Sequence, residues 1–332
     1  MKLKIAINGF GRIGRLTLRS LFERNINNIE ILAVNDLADI SSNIHLFKYD
    51  SVHGIFNKSI FQNENNVEID GKKISFFSES NPENLPWKEM GIDLVIESTG
   101  IFTKKDKAKL HINSGAKKVL ISAPSPDADI TVVFGVNHKK IKKEHKIVSN
   151  GSCTTNCLAP VAYILDEKLG IKSGYMTTVH SVTGDQSTID TFHKDLRRAR
   201  NSSLSMIPTS TGAARAVGDV LPNLIGKLEG SAIRVPTANV SLIDFCFEST
   251  KKTSVNDLNN LMVNSSENEF KGILQTSNDS LVSCDFNHNS HSSIIDLKET
   301  KVINGNFCRL LSWYDNEWGF SNRLIDVALK MF

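Results

Sequence analysis

Cysteine is sparse in this chain, with 5 in 332 residues, an odd number at no regular spacing. That excludes a disulfide-stapled scaffold and fits a reducing compartment. Cys153 and Cys157 lie one helical turn apart, but no Cys/His pair elsewhere completes a zinc site, so no metal is expected. Long apolar runs are lacking too: none approaches the roughly 18–20 residues of a bilayer span. The opening stretch, Met1-Lys2-Leu3-Lys4-Ile5-Ala6-Ile7-Asn8, has neither the apolar segment nor the cleavage site of a secretory signal. Charge of one sign hardly accumulates. The 39 Lys and Arg against 36 Asp and Glu leave +3, well short of a dedicated nucleic-acid binder. No internal repeat and no flexible Pro- or Ser-rich linker occurs. The expectation is a soluble, cytoplasmic protein with no membrane or nucleic-acid partner.

What is present points to a packed α/β protein. Hydrophobic residues make up 40%, and 17 Phe, 4 Tyr and 3 Trp exclude a disordered chain. The length favours two domains over one core. Up to about residue 150, short apolar runs with polar ends (Lys4–Asn8, Glu30–Asn35, Asp93–Ser98, Lys118–Ser122) read as buried parallel strands. Arg12–Arg24 and Lys104–Ser114 have helical spacing between them. In the first, Leu16, Leu18, Leu21 and Phe22 are expected on the sheet, and Arg15, Arg19 and Glu23 in water. Strands alternating with helices imply a doubly wound parallel sheet. Val67–Phe77 around Asp70-Gly71 reads as a hairpin. After Asn150 the pattern changes. Cys153–Lys168 reads as a helix that Pro160 should kink or confine. Longer alternating runs follow at Gly174–Val182, Ser231–Pro236, Val240–Phe247 and Asn306–Tyr314, suggesting a mostly antiparallel sheet. Glu317–Met331 is an amphipathic terminal helix.

Asn8-Gly9-Phe10-Gly11-Arg12-Ile13-Gly14 sets a G-x-G-x-x-G between the first strand and the first helix. Gly9 permits the tight turn, Gly11 admits a pyrophosphate to the backbone, and Gly14 allows close helix–strand packing. Helix N–H groups then face the phosphates. The motif alone is weak, but Asp36 closes the second strand where a carboxylate can accept both hydroxyls of an adenosine ribose and repel a 2′-phosphate. Together they imply dinucleotide binding, with NAD favoured over NADP.

Ser149-Asn150-Gly151-Ser152-Cys153-Thr154-Thr155-Asn156-Cys157 puts a thiol where a helix begins, and the helix N-terminus is expected to lower its pKa. Ser152 and Thr154 can cap that helix or donate to a bound anion. His180, at a predicted strand end, can pair with a thiolate and shuttle protons. Arg198, in the basic run His193–Arg200, and Arg234 offer planar cations for phosphates. Thr211 and Gly212 precede another helix, again suited to an anion.

Asn8-Gly-Phe-Gly-Arg-Ile-Gly-Arg15, Ser152-Cys-Thr-Thr-Asn-Cys157, Arg234-Val-Pro-Thr-Ala-Asn239 and Trp313-Tyr-Asp-Asn-Glu-Trp318, in that order, resemble the glyceraldehyde-3-phosphate dehydrogenase family. The resemblance runs from Ile5 to Val327, and Asp195-Leu-Arg-Arg-Ala-Arg200 gives it a bacterial or organellar cast. It implies a Rossmann NAD-binding domain over 1–150, an α+β catalytic domain over 151–316, and a helix at 317–332 returning to the first. It implies a homotetramer acting on D-glyceraldehyde 3-phosphate and inorganic phosphate, with Cys153 as nucleophile and His180 as base. Thr183 and Arg234 match substrate-phosphate ligands, and Ser152, Thr154, Thr211 and Gly212 the inorganic-phosphate side. Arg198 matches a phosphate-binding arginine. Arg12 and Ile13 match the pyrophosphate turn, Asp36 the ribose ligand, and Ser122 and Asn316 the nicotinamide half. Gly151, Phe320, Ser80 and Thr191-Phe192 depart from the usual pattern. A sister enzyme acting on erythrose 4-phosphate, or a non-catalytic dinucleotide- or RNA-binding role, stands as the alternative.

Overall fold

The computed structural model describes residues 2–332. Contacts divide the chain into two compact units. One comprises residues up to Val132, His138–Ser152 and Ser321–Phe332; the other comprises Val133–Asn137 and Cys153–Phe320.

The first unit is built on a nine-stranded sheet. Its central strands are β1 (Leu3–Asn8) and β2 (Ile29–Asn35). A two-stranded ribbon, β3 (Tyr49–Asp50) and β4 (Gly54–Ile55), lies off the sheet. The remaining strands are β5 (Ile60–Asn63), β6 (Asn66–Ile69), β7 (Lys72–Phe77), β8 (Leu94–Glu97), β9 (Lys118–Ile121), β10 (Ile130–Thr131) and β11 (Ile147–Ser149). Across the sheet they run β10-β11-β9-β8-β1-β2-β7-β6-β5. The strands from β10 to β7 pair in parallel, as their apolar, doubly covered sequences demand. The expected hairpin is β6–β7, turning through Asp70 and Gly71, both at positive φ. Helices α1 (Arg12–Glu23), α2 (Ile40–Lys48), α3 (Trp87–Met90) and α4 (Lys105–Asn113) complete this unit.

Leu16, Leu18, Leu21 and Phe22 of α1 are buried as their spacing predicts, each contributing about 1.5–3 kcal/mol. Arg19 is a correction. Expected in water, it is 2% exposed. Its guanidinium donates to the carbonyls of Phe47 (2.9 Å), His53 (3.2 Å) and Gly54 (3.1 Å). The Phe47 and Phe56 rings lie 6.0 and 5.5 Å from it. A charge can be buried there because the tight ribbon turns its carbonyls inward. The same segment carries Asp50, which takes a 2.5 Å ion pair from Arg12.

The second unit holds an eight-stranded sheet. Its strands are β12 (Ile171–His180), β13 (Ile207–Ser210), β14 (Leu228–Arg234), β15 (Ser241–Ser249), β16 (Leu274–Ser277), β17 (Ser293–Asp296), β18 (Lys301–Ile303) and β19 (Phe307–Tyr314). Most pairs are antiparallel, while β12–β14 and β16–β17 are parallel. Helices α5 (Cys153–Leu169), α6 (Ala213–Val220) and α7 (Val255–Glu267) belong to this unit. The final helix, α8, covers Trp318–Lys330. Leu158, Val161, Leu165, Phe245 and Phe247 fill the core between α5 and the sheet. Pro160 sits inside α5 without confining it. One ladder bond is lost there, but every residue from Asn156 to Leu165 except Tyr163 is buried, and their packing outweighs that loss.

Two stability outcomes follow. Arg19→Met leaves buried carbonyls without their donor and is expected to cost about 3 kcal/mol in urea unfolding; a cost under about 0.5 kcal/mol refutes the clamp. Burial acts to raise the Asp50 carboxyl, but hydrogen bonds from Arg12, His53 and Val52 hold it at about 2. A depressed carboxyl stabilises fully above its unfolded value near 4, and that stability is lost as pH falls through about 2. Asp50→Asn should therefore flatten the acid limb of a stability–pH curve between those limits.

Candidate active site

The catalytic half is assembled by strand register. β12 and β14 pair in parallel, and their last partners are His180 and Arg234. His180 Nδ1 lies 2.7 Å from the Ser181 carbonyl oxygen, which can only accept, so Nδ1 carries the proton. Nε2 is then a lone pair, and it lies 3.6 Å from Cys153 Sγ at the start of α5. Arg234 Nη1 lies 3.1 Å from Nδ1 and donates to the Ser181 carbonyl (3.2 Å) and to Thr183 Oγ1 (2.9 Å). The Nε of Arg234 is buried and has no hydrogen-bond partner among the described residues, a donor available to an anion.

Burial, then the Arg234 charge, pushes His180 down to about 4, so the imidazole is neutral at physiological pH and poised as a base. Burial also pushes the Cys153 thiol up, while Arg234 and hydrogen bonds at Thr154 pull it down. The sequence-based expectation of an acidified thiol is thus reversed: desolvation of the sulfur outweighs the charges that favour thiolate. Burial also pushes Cys157, deeper in α5, up to about 12, with Ser312 and Ser293 as its polar neighbours. The two cysteines differ because only Cys153 has a cation and a base beside it.

The remaining predicted anion ligands spread around this centre. Thr183 donates from its hydroxyl to Asp185. Arg198 reaches Asp185 (2.7 Å) and Thr209 (3.0 Å). Asp185 is held below the usual carboxylate range against burial, by the Thr183 hydroxyl and by both arginines. Thr211 Oγ1 accepts the Ala213 N–H at the head of α6, and Gly212 precedes that helix with open space where a side chain would stand. Ser152 is half-buried just before α5. Thr154 is buried and its hydroxyl meets Tyr314 Oη at 2.9 Å, so it braces the helix start from within. Asn316, also buried, accepts from Ser181 (2.9 Å) and Ser241 (2.8 Å) through its carbonyl oxygen, which leaves its amide as the donor end.

Of the cofactor-binding candidates, Gly9, Gly11, Arg12, Ile13, Asp36 and Ser122 lie in the first unit, whereas Asn316 lies in the second. Gly9 has φ +90°, and a Cβ there would lie 2.6 Å from the Thr99 nitrogen. A Cβ on Gly14 would strike the Gly9 carbonyl, whereas nothing lies within 4 Å of one on Gly11. That is a tight turn with an open face at a helix N-terminus, as a pyrophosphate requires. Asp36 Oδ2 accepts the Phe10 N–H at 2.7 Å, tying the end of β2 to this turn. Ile13 lies in the first turn of α1, while the Arg12 side chain is committed to Asp50. Ser122 follows β9, its N–H on the Glu97 carbonyl.

Sequence reasoning missed Asp50, Asp185, Ser241 and the bracing role of Tyr314. Asp50, Ser241 and Tyr314 act through partners 38, 75 and 160 residues away, which no local pattern marks, whereas Asp185 bonds Thr183 and Arg198 within 13 residues. Arg234→Leu removes the cation beside the sulfur, so iodoacetamide alkylation of Cys153 at neutral pH should slow about tenfold, one pKa unit. An unchanged rate would refute the coupling, and Cys157 should stay unreactive in both proteins.

Residues 3–105 match the model of the glyceraldehyde 3-phosphate dehydrogenase NAD-binding domain, and residues 152–316 match that of its C-terminal domain. The chain is 53% identical to a glyceraldehyde-3-phosphate dehydrogenase of Xanthobacter flavus, over 100% of this chain and 99% of that one. It is 52% identical to one from Zymomonas mobilis, with the same coverage. A Bacillus cereus relative, glyceraldehyde-3-phosphate dehydrogenase 1, is 53% identical over 99% of this chain and 98% of its own. The chain belongs to the glyceraldehyde-3-phosphate dehydrogenase family.

Proposed function

We propose that this protein oxidises D-glyceraldehyde 3-phosphate in the presence of NAD and inorganic phosphate, giving 1,3-bisphosphoglycerate through a thioester on Cys153. The observation that carries the reading is the Cys153 sulfur 3.6 Å from an unprotonated His180 Nε2 beside the half-buried Arg234. Cys153 Sγ adds to the aldehyde carbon as its proton passes to Nε2 and from there to the aldehyde oxygen, forming a hemithioacetal and leaving His180 neutral again. His180 then takes the hemithioacetal hydroxyl proton as the carbon is oxidised to the thioester. A phosphate oxygen attacks the thioester carbonyl, and the sulfur leaves. Arg234 and Thr183 are suited to the substrate phosphate, and Ser152, Thr211, Gly212 and Arg198 to the attacking one. Thr154, its hydroxyl on Tyr314, supports that side through the helix it braces.

The open Gly9–Gly14 turn and Asp36 fit NAD: backbone at Gly11, Arg12 and Ile13 for the pyrophosphate, Asp36 for the ribose, Ser122 and Asn316 for the nicotinamide amide and its surroundings. When bound, NAD supplies the hydride acceptor. The relatives carry no support for erythrose 4-phosphate oxidation or for a non-catalytic role. No helix among the described residues is long and apolar enough to cross a membrane. A homotetramer working in the cytoplasm is our reading of the family's habit, and light scattering of the purified chain tests the assembly. Exposed apolar side chains at Ile189, Phe192, Leu196, Leu204 and Met206 favour association.

NADH formation from glyceraldehyde 3-phosphate should require inorganic phosphate and prefer NAD to NADP; turnover indifferent to phosphate would overturn the assignment. His180→Asn should lower kcat by roughly 10²–10⁴-fold with the protein still folded. The acid limb of kcat/KM should reflect His180 near pH 4, activity being present above that value because the base is then neutral. Removing the Arg234 charge should move this limb toward neutrality, and a limb that stays put would exclude His180 as its source.

A further inference from the structure

Beneath the glycine turn of the first unit lies a buried polar chain that no step of the reaction uses. Trp87, His111, Glu97 and Asn8 are each no more than 1% exposed, and Asn35 is 4% exposed. The indole of Trp87 can only donate, and its Nε1 lies 3.1 Å from His111 Nδ1. Nδ1 is therefore an acceptor, the proton sits on Nε2, and Nε2 donates to Glu97 Oε2 at 3.0 Å. Asn8 Nδ2 donates to the same oxygen at 2.6 Å. The other oxygen, Oε1, accepts from both the N–H and the hydroxyl of Thr99. Every group facing Glu97 is a donor. Asn8 is thereby oriented with its carbonyl oxygen toward Asn35 Nδ2, at 2.7 Å. Asn35 in turn exchanges bonds with the Glu79 backbone, at 2.8 and 2.9 Å.

This chain crosses the carboxyl ends of β8, β1 and β2 and reaches the segment after β7, four neighbouring strands of the sheet. Three links adjoin the turn or Asp36. Asn8 precedes Gly9, Asn35 precedes Asp36, and Thr99 is the backbone against which Gly9 closes. The Ser98 hydroxyl donates to the Gly9 carbonyl at 2.7 Å, and the Gly9 N–H reaches the Asn35 carbonyl at 2.8 Å. Backbone bonds continue one residue past these strand ends, at Gly9, Asp36 and Ser98, and beyond them side chains set the spacing. We propose that Glu97 and His111 are positioning residues for dinucleotide binding. The carboxylate selects the orientation of Asn8, and through Asn35 fixes the separation of the Gly9–Gly11 turn from Asp36. The inference rests on the dinucleotide site proposed above.

The test is binding of NAD and of ADP-ribose, measured by calorimetry on the full chain. In Glu97→Gln, the Thr99 donors hold the new amide oxygen, so its NH2 faces the donors of Asn8 and His111. Kd should rise at least tenfold for both ligands, because the site concerned lies on the adenosine and pyrophosphate half. KM for NAD should rise likewise while kcat at saturation falls less than threefold. Pairing that change with Asn8→Asp restores an acceptor opposite the new donor, and Kd should return to within threefold of the unaltered chain. A folded Glu97→Gln protein with unchanged Kd overturns the proposal. So does a double variant that regains its urea midpoint but not its affinity, since the pair then serves stability alone. If Glu97→Gln does not fold, the unaltered chain decides: its ¹⁵N-indole signal from Trp87, assigned by Trp87→Phe, should shift on saturation with ADP-ribose. A stationary signal with ligand bound overturns the network, whereas no binding of either ligand to the unaltered chain overturns the dinucleotide site itself.

Discussion

The parallel pairing that ends on His180 opposite Arg234 is the constraint on which the catalytic half depends. One guanidinium is thereby set beside the imidazole, within reach of the Ser181 carbonyl and the Thr183 hydroxyl. Its charge adds to burial in keeping His180 neutral and partly offsets the burial of the Cys153 thiol, and its Nε leaves one buried N–H for an anion. A slip of one residue in this register would turn Arg234 to the other face of the sheet and undo all three effects. Antiparallel pairing of β15 and β19 on the opposite flank brings in Ser241 and Tyr314, which brace Asn316 and Thr154.

The first unit solves a related problem. Its strands deliver a glycine turn and a carboxylate to neighbouring strand ends, and the Phe10 N–H on Asp36 joins them. Beneath that join, polar side chains take over where the backbone ladder stops. The energetic argument is the same in both units: burying a polar group costs least when it is paired, so a satisfied network admits one arrangement and specifies it. Arg19 and Asp50 apply that rule at the ribbon that flanks the first helix.

Much of this was legible in the sequence where the signal is local. Gly9, Gly11 and Gly14 declare a turn, and the structure shows the clashes a side chain would cause at Gly9 and Gly14, with open space at Gly11. Cys153 at a helix start and His180 at a strand end follow from capping and alternation. The Arg19 assignment failed because an amphipathic pattern assigns charge to water and cannot register carbonyls turned inward by a ribbon some 30 residues away. Pro160 was over-weighted, since propensity counts the lost bond and not the packing around it. The direction of the Cys153 shift was misjudged for a similar reason. A helix N-terminus is visible in sequence, but the depth of burial is not.

The sequence by itself determined the periodicities, the turn chemistry and the residue types capable of nucleophilic, basic and anion-binding roles, because these depend on neighbours a few positions apart. Tertiary structure decided which of them meet. Thr154 lies 160 residues from Tyr314, and Asn8 lies 89 from Glu97, so their contacts exist only once strand order and register are set. It also decided protonation. Desolvation and the field of a distant arginine are properties of packed three-dimensional surroundings, and the order of residues along a chain does not contain them.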